Sequence, residues 1–129
     1  MFIACKPSIL IIDDDPAILH VFNRIFQKNG YCVTVAERGK EAIEKLSINC
    51  FDVALIDLGL PDMEGTELFP LIQKLSPKTL KIMLTGKTLL QDSIEDADAL
   101  LKKPINPDNL LSIIDSKLKN RNIENLTLP

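Results

Sequence analysis

Short, largely apolar runs alternate along this chain with longer stretches whose apolar residues recur at helical spacing, and few folds accommodate that alternation. Ser8 to Ile12 reads Ser-Ile-Leu-Ile-Ile, apolar enough for a strand covered on both faces. Runs of the same kind occupy Tyr31 to Ala36, Phe51 to Ile56, Leu80 to Leu84 and, more briefly, Ala99 to Leu101. Between them, Ile18, Leu19, Phe22, Ile25 and Phe26 form one face of a predicted helix. Ala42, Ile43 and Leu46 form a second such face, and Leu68, Leu71, Ile72 and Leu75 a third. Pro70 must lie in the first turn of that third helix or bend it, because a proline has no N–H to bond back. A weak helical stretch around Gln91 to Asp96 and a last helix with Leu110, Leu111, Ile113, Ile114 and Leu118 inward complete five β–α units. Asp15-Pro16 and Asn106-Pro107 read as helix starts, and Gly30 as a helix stop. Five such units imply a parallel sheet with helices on both faces, a doubly wound α/β sandwich.

At 129 residues the chain has the length of one domain, long enough to bury a core without disulfide or metal support. The expected domain spans residues 1–120, followed by a short polar tail over 121–129 and no output domain. A net charge of -3 disfavours direct nucleic-acid binding, which calls for a basic surplus. Cys5, Cys32 and Cys50 are odd in number and form no C-x-x-C pair, as expected of free thiols in a reducing cytoplasm. No apolar run reaches the ~20 residues that span a bilayer, and the start lacks the basic segment and apolar stretch of a signal peptide.

In open parallel sheets, ligands sit beyond the carboxyl ends of the strands, where the strand order reverses. Asp13 and Asp14 end the first predicted strand, Asp57 the third, Thr85 the fourth and Lys103 the fifth. The fold therefore converts five distant positions into one edge. Three carboxylates crowded there repel one another, and a divalent cation removes the difficulty. Hard oxygen ligands suit Mg²⁺, which keeps several of its waters. A lysine opposite the metal and a threonine hydroxyl leave a gap shaped for a tetrahedral anion. The chemistry favoured is phosphoryl transfer, in which an aspartate can itself take the phosphoryl group as an acyl phosphate.

Four fragments, in this order, resemble the receiver domains of two-component response regulators. They are Ile11-Ile12-Asp13-Asp14-Asp15-Pro16, the run Leu55 to Gly65 (LIDLGLPDMEG), Met83-Leu84-Thr85-Gly86, and Lys103-Pro104. The resemblance covers roughly residues 7–119. It implies a flavodoxin-like (βα)5 fold of strand order 2-1-3-4-5, with Asp57 as phosphoacceptor. It further implies Mg²⁺ held by Asp13, Asp14, Asp57 and the backbone carbonyl of Gly59. Thr85 would bond a phosphoryl oxygen and report phosphorylation by moving inward; Lys103 would pair with the phosphoryl group, and the Lys103-Pro104 bond would be cis. The donor would be a phosphohistidine on a sensor kinase or a phosphotransfer protein, and the output a separate protein target reached through a changed surface.

The chain departs from the family in three places. The position three before Lys103 usually holds an aromatic residue that swings with the threonine; here it is Leu100. Only 17 residues, 86–102, separate Thr85 from Lys103, so the fourth helix of the resemblance is expected to be a stub. Helix one and the loops around the site would then take over partner binding. Gly59 and Lys87 occupy the positions that tune hydrolysis of the acyl phosphate, and a glycine there implies slow self-dephosphorylation. Two other functions fit parts of the pattern. A receiver-like module could bind partners without being phosphorylated. An aspartyl-nucleophile phosphatase would need a second Asp two residues after Asp57, where Gly59 stands.

Overall fold

The computed structural model describes residues 7–86 and 97–127, with side chains as far as Arg121. Five strands, β1 (Ser8–Ile12), β2 (Cys32–Ala36), β3 (Val53–Asp57), β4 (Leu80–Thr85) and β5 (Ala99–Lys102), form one parallel sheet of order β2-β1-β3-β4-β5. Four helices are described: α1 (Pro16–Lys28), α2 (Gly39–Ile48), α3 (Gly65–Leu75) and α4 (Pro107–Thr127). The stretch 91–96 expected to form a short helix lies outside the described residues, as do Lys87 and Cys5. Among the described residues no helix is long and apolar enough to cross a membrane.

Side-chain alternation along the central strands builds two cores. Leu10, Ile12, Ala54, Ile56 and Met83 meet Ala42, Leu46, Leu68, Phe69 and Ile72 beneath α2 and α3. Ile9, Ile11, Val53, Leu55, Ile82 and Leu84 meet Leu19, Phe22, Phe26, Leu110 and Ile114 beneath α1 and α4. Every residue of β3 and β4 is buried, whereas the edge strands β2 and β5 are partly open. Continuous apolar runs thus mark strands covered on both sides.

The helix punctuation acts locally as its chemistry requires. The Asp15 carboxylate accepts a bond from the Ala17 N–H (2.9 Å), with Pro16 in the first position of α1. Asn106 caps α4 in the same way, through the Asp108 N–H (2.8 Å). Gly30, at φ 89°, turns the chain out of α1 in a conformation costly to other residues. Tyr31, expected to open β2, instead precedes it, buried against Phe26 and donating its hydroxyl to the Asp115 carboxylate of α4.

Two helices differ from the sequence expectation. In α3 the buried face is Gly65, Leu68, Phe69 and Ile72, leaving Leu71 at 42% and Leu75 at 45% exposure. Close contact at Gly65, described below, sets the rotation of this helix, and Phe69 takes the inward place. Pro70 falls in the second turn rather than the first. Helix α4 runs to Thr127, past the Asn120 boundary at which a polar tail was expected to begin. Polarity alone does not end a helix, and no glycine or proline follows until Pro129.

Candidate phosphoryl-transfer site

The five strand-end residues gather at the carboxyl edge of the sheet. The Asp13 N–H donates to the Ala36 carbonyl (3.0 Å), so the residue after β1 is still held in the sheet. Its carboxylate is 2% exposed; one oxygen accepts from the Asp15 N–H (2.9 Å) and the other from the Lys103 amine (3.1 Å). Asp57, the last residue of β3, is 8% exposed. Its Oδ1 accepts from the same Lys103 amine (3.1 Å) and from the Gly59 N–H (3.3 Å). Asp14 is exposed beside them, and Asp13, Asp14 and Asp57 offer carboxylate oxygens all within 4.8 Å of one another.

Burial pushes the Asp13 carboxyl above the ordinary aspartate value, an effect that Asp57 reinforces and that the Asp15 N–H and Lys103 oppose. Burial works to lower the Lys103 amine, but its bonds to Asp57 and Asp13 outweigh that and leave it raised and cationic. One ammonium group thus serves two buried carboxylates. Three acids at such separation, two of them buried, form a hard-oxygen donor set that fits a divalent cation such as Mg²⁺.

Thr85 ends β4, 6% exposed, and lies opposite Lys102 in the register with β5. Its carbonyl accepts from the Lys103 N–H (2.7 Å), which joins the alcohol-bearing and amine-bearing strand ends directly. The next peptide bond, Lys103-Pro104, is cis. Asp57, Gly59, Thr85 and Lys103 line a common cavity of about 550 Å³ with Leu58, Leu60, Glu64 and Thr66. All the expected site residues therefore converge on one edge, and those lining the cavity leave room beside Asp57 for a small anion.

Two further residues shape the site. Gly65 opens α3 directly against the loop that follows Asp57. A Cβ there would lie 2.7 Å from the Leu58 Cα and 3.1 Å from the Asp57 carbonyl oxygen. Its N–H donates to the Leu58 carbonyl (2.9 Å). Asp62 reaches from the same loop to α2, accepting from the Gly39 N–H (2.8 Å) and the Lys40 N–H (2.9 Å). Those two amides, Lys40 first, hold its carboxyl below the ordinary aspartate value. In the sequence both residues stand only as members of the run Leu55 to Gly65; the contact of Gly65 depends on how the loop folds back, and the partners of Asp62 are remote in the chain. Elsewhere, His20 is exposed on α1, and Cys32 and Cys50 are exposed free thiols. Leu100 is partly buried against the core beneath α2 and α3.

Residues 9–115 match the response regulator receiver domain family. The chain is 33% identical over 119 residues to the transcriptional regulatory protein GlrR of Escherichia coli K12, covering 88% of this chain but 27% of that protein. A CheY-like response regulator receiver domain protein from Methanospirillum hungatei JF-1 superposes with a TM-score of 0.88 at 42% identity, covering 93% of this chain and 99% of that one. A response regulator protein from Burkholderia pseudomallei, crystallised with a phosphorylated aspartic acid, a calcium ion and citrate, gives a TM-score of 0.77 at 26% identity, covering 96% and 76%. With the family model matching residues 9–115 and the five-stranded parallel sheet superposing on a receiver domain at 42% identity, the chain belongs to the response regulator receiver domain family.

Proposed function

We propose that this chain is a phosphorylation switch in which Asp57 accepts the phosphoryl group. The reading rests above all on the Lys103 amine, 3.1 Å from both Asp13 and Asp57 although it lies 90 and 46 residues away in the chain. A carboxylate oxygen of Asp57 attacks the phosphorus of a phosphohistidine on a sensor kinase or phosphotransfer protein. The P–O bond forms as the P–N bond breaks, and the electron pair leaves on the imidazole nitrogen. Lys103 would pass from the carboxylates to a phosphoryl oxygen, and Thr85, which lines the same cavity, would donate its hydroxyl to another. Asp13, Asp14, Asp57 and the Gly59 carbonyl would hold Mg²⁺, whose charge, when bound, neutralises oxygens of the transferring group.

Output follows from what the phosphoryl group displaces. Lys103 and Thr85 stand on adjoining strand ends, so a shift at either alters the loops above the sheet and the surface they offer a protein target. Helix α1 and those loops are the proposed docking surface, and Leu100 repacks where relatives use an aromatic residue. Gly59 presents no side chain that could orient an attacking water, which favours a long-lived acyl phosphate.

The deciding experiment incubates the chain with a small acyl-phosphate donor and Mg²⁺, beside Asp57→Ala, on a phosphate-affinity gel. A retarded band present only in the wild type is the expected result. Absence of any modification would identify a passive binding module instead, and rapid turnover of phosphate esters an aspartyl phosphatase.

A further inference from the structure

The loop between β3 and α3 carries Gly59, and its two ends are fixed by the sheet and by α3. Leu58 donates its N–H to the Leu84 carbonyl (3.2 Å), and Gly65 donates to Leu58 (2.9 Å). A single antiparallel bridge pairs Gly59 with Glu64. Nothing crowds Gly59 itself: a Cβ built there meets no atom within 4 Å. Beside that bridge and the Gly59 N–H bond to Asp57 (3.3 Å), the loop is held at its apex, Pro61 to Met63.

That apex is anchored to a different helix. Each oxygen of the Asp62 carboxylate takes one of the first amides of α2, Gly39 at 2.8 Å and Lys40 at 2.9 Å. The local N-cap residue of α2, Arg38, has the extended backbone of a cap (φ -141°, ψ 157°) but makes no capping bond with its side chain. Asp62 thus supplies from the loop what α2 lacks in its own sequence. Met63 packs over the same turn, where a Cβ on Gly39 would come within 2.5 Å of the Met63 Cγ. Leaving Gly39 bare lets the apex lie directly on the helix.

We infer that Asp62 is a positioning residue for the phosphoacceptor site: by clamping the loop to α2, it fixes where the Gly59 carbonyl stands and so sets metal affinity and phosphorylation rate. This inference rests on the assignment of Asp57 and Gly59 proposed above. An asparagine in place of Asp62 keeps one acceptor oxygen and can hold one amide; an alanine holds neither.

The test separates positioning from helix capping. Mg²⁺ affinity would be followed through the Gly59 amide resonance, phosphorylation rate with an acyl-phosphate donor, and stability by thermal unfolding. Asp62→Ala should weaken Mg²⁺ binding roughly ten-fold, the scale at which outer partners of metal ligands act, and slow phosphorylation. Asp62→Asn should fall between Asp62→Ala and wild type. Adding Arg38→Ser to Asp62→Ala gives α2 a local cap; it should restore the melting temperature but not the Mg²⁺ affinity. Unchanged affinity and rate in Asp62→Ala, or recovery of both in the double variant, would reduce Asp62 to a helix cap and overturn the inference while wild type is still phosphorylated. A wild-type chain that neither binds Mg²⁺ nor takes a phosphoryl group on Asp57 overturns the underlying assignment, and this inference with it.

Discussion

Asp13 shows how a single buried acid makes the site both costly and responsive. Its carboxyl is raised above 3.8, chiefly by burial, so the folded chain disfavours its ionised form. An acid raised in this way contributes stability below its unfolded value and loses it as pH climbs through the folded one. At neutral pH, Asp13 therefore works against the metal-free fold. Asp13→Asn should raise the metal-free melting temperature while nearly abolishing Mg²⁺ binding, as a thermal melt with and without the ion would show. Since proton and metal compete for this oxygen, wild-type Mg²⁺ affinity should also begin to fall at a pH above that at which an ordinary aspartate titrates. Calorimetric titration across the acidic range would measure it. Asp13, Asp57 and Lys103 were legible in the sequence because each closes an apolar run, and strand ends share an edge. Asp62 was not, because a carboxylate that caps a helix more than twenty residues away leaves no trace beside either partner.

At the scale of elements, α3 is the instructive case. Four apolar residues at helical spacing pointed to one face, yet the helix turns Leu71 and Leu75 outward. Periodicity gives the existence of a helix more securely than its rotation, which a contact elsewhere can decide. Here the contact is Gly65 on the Leu58 backbone. Gly65→Ala places a methyl group against main chain that cannot swing aside, so it should cost about 1–3 kcal/mol, as overpacked cores do. It should also slow phosphorylation, because the displaced segment includes Leu58 and the Asp57 carbonyl. Chemical denaturation and the acyl-phosphate assay would separate the two effects. By contrast, α1 and α4 match their predicted faces, since both pack on the same face of the sheet, and caps at Asp15 and Asn106 start them.

At the scale of the whole molecule, the Tyr31 hydroxyl reaches Asp115 and ties the turn after α1 to α4. Burial, then Asp115, pushes this phenol well above its ordinary 10.0. The stability it supplies is complete below that value and drains away as pH rises beyond it. Lys103, raised above 10.5, loses its contribution in the same direction. Unfolding followed from about pH 8, where the phenol is neutral and the amine protonated, to about pH 12 should thus show a steep alkaline decline. Tyr31→Phe should be less stable by about 1 kcal/mol at neutral pH, and its alkaline decline should be shallower. Mg²⁺ at a hundred times its dissociation constant should add about 2.7 kcal/mol to the wild type, and a chelator should remove it. Lys103 carries a last consequence. Its main chain is pinned to Thr85 while its ammonium group bridges Asp13 and Asp57, so the length of the side chain acts as a gauge between sheet and acids. An arginine would keep the positive charge yet overshoot the span, and ought to fail in phosphoryl transfer where charge bookkeeping alone would foresee no harm.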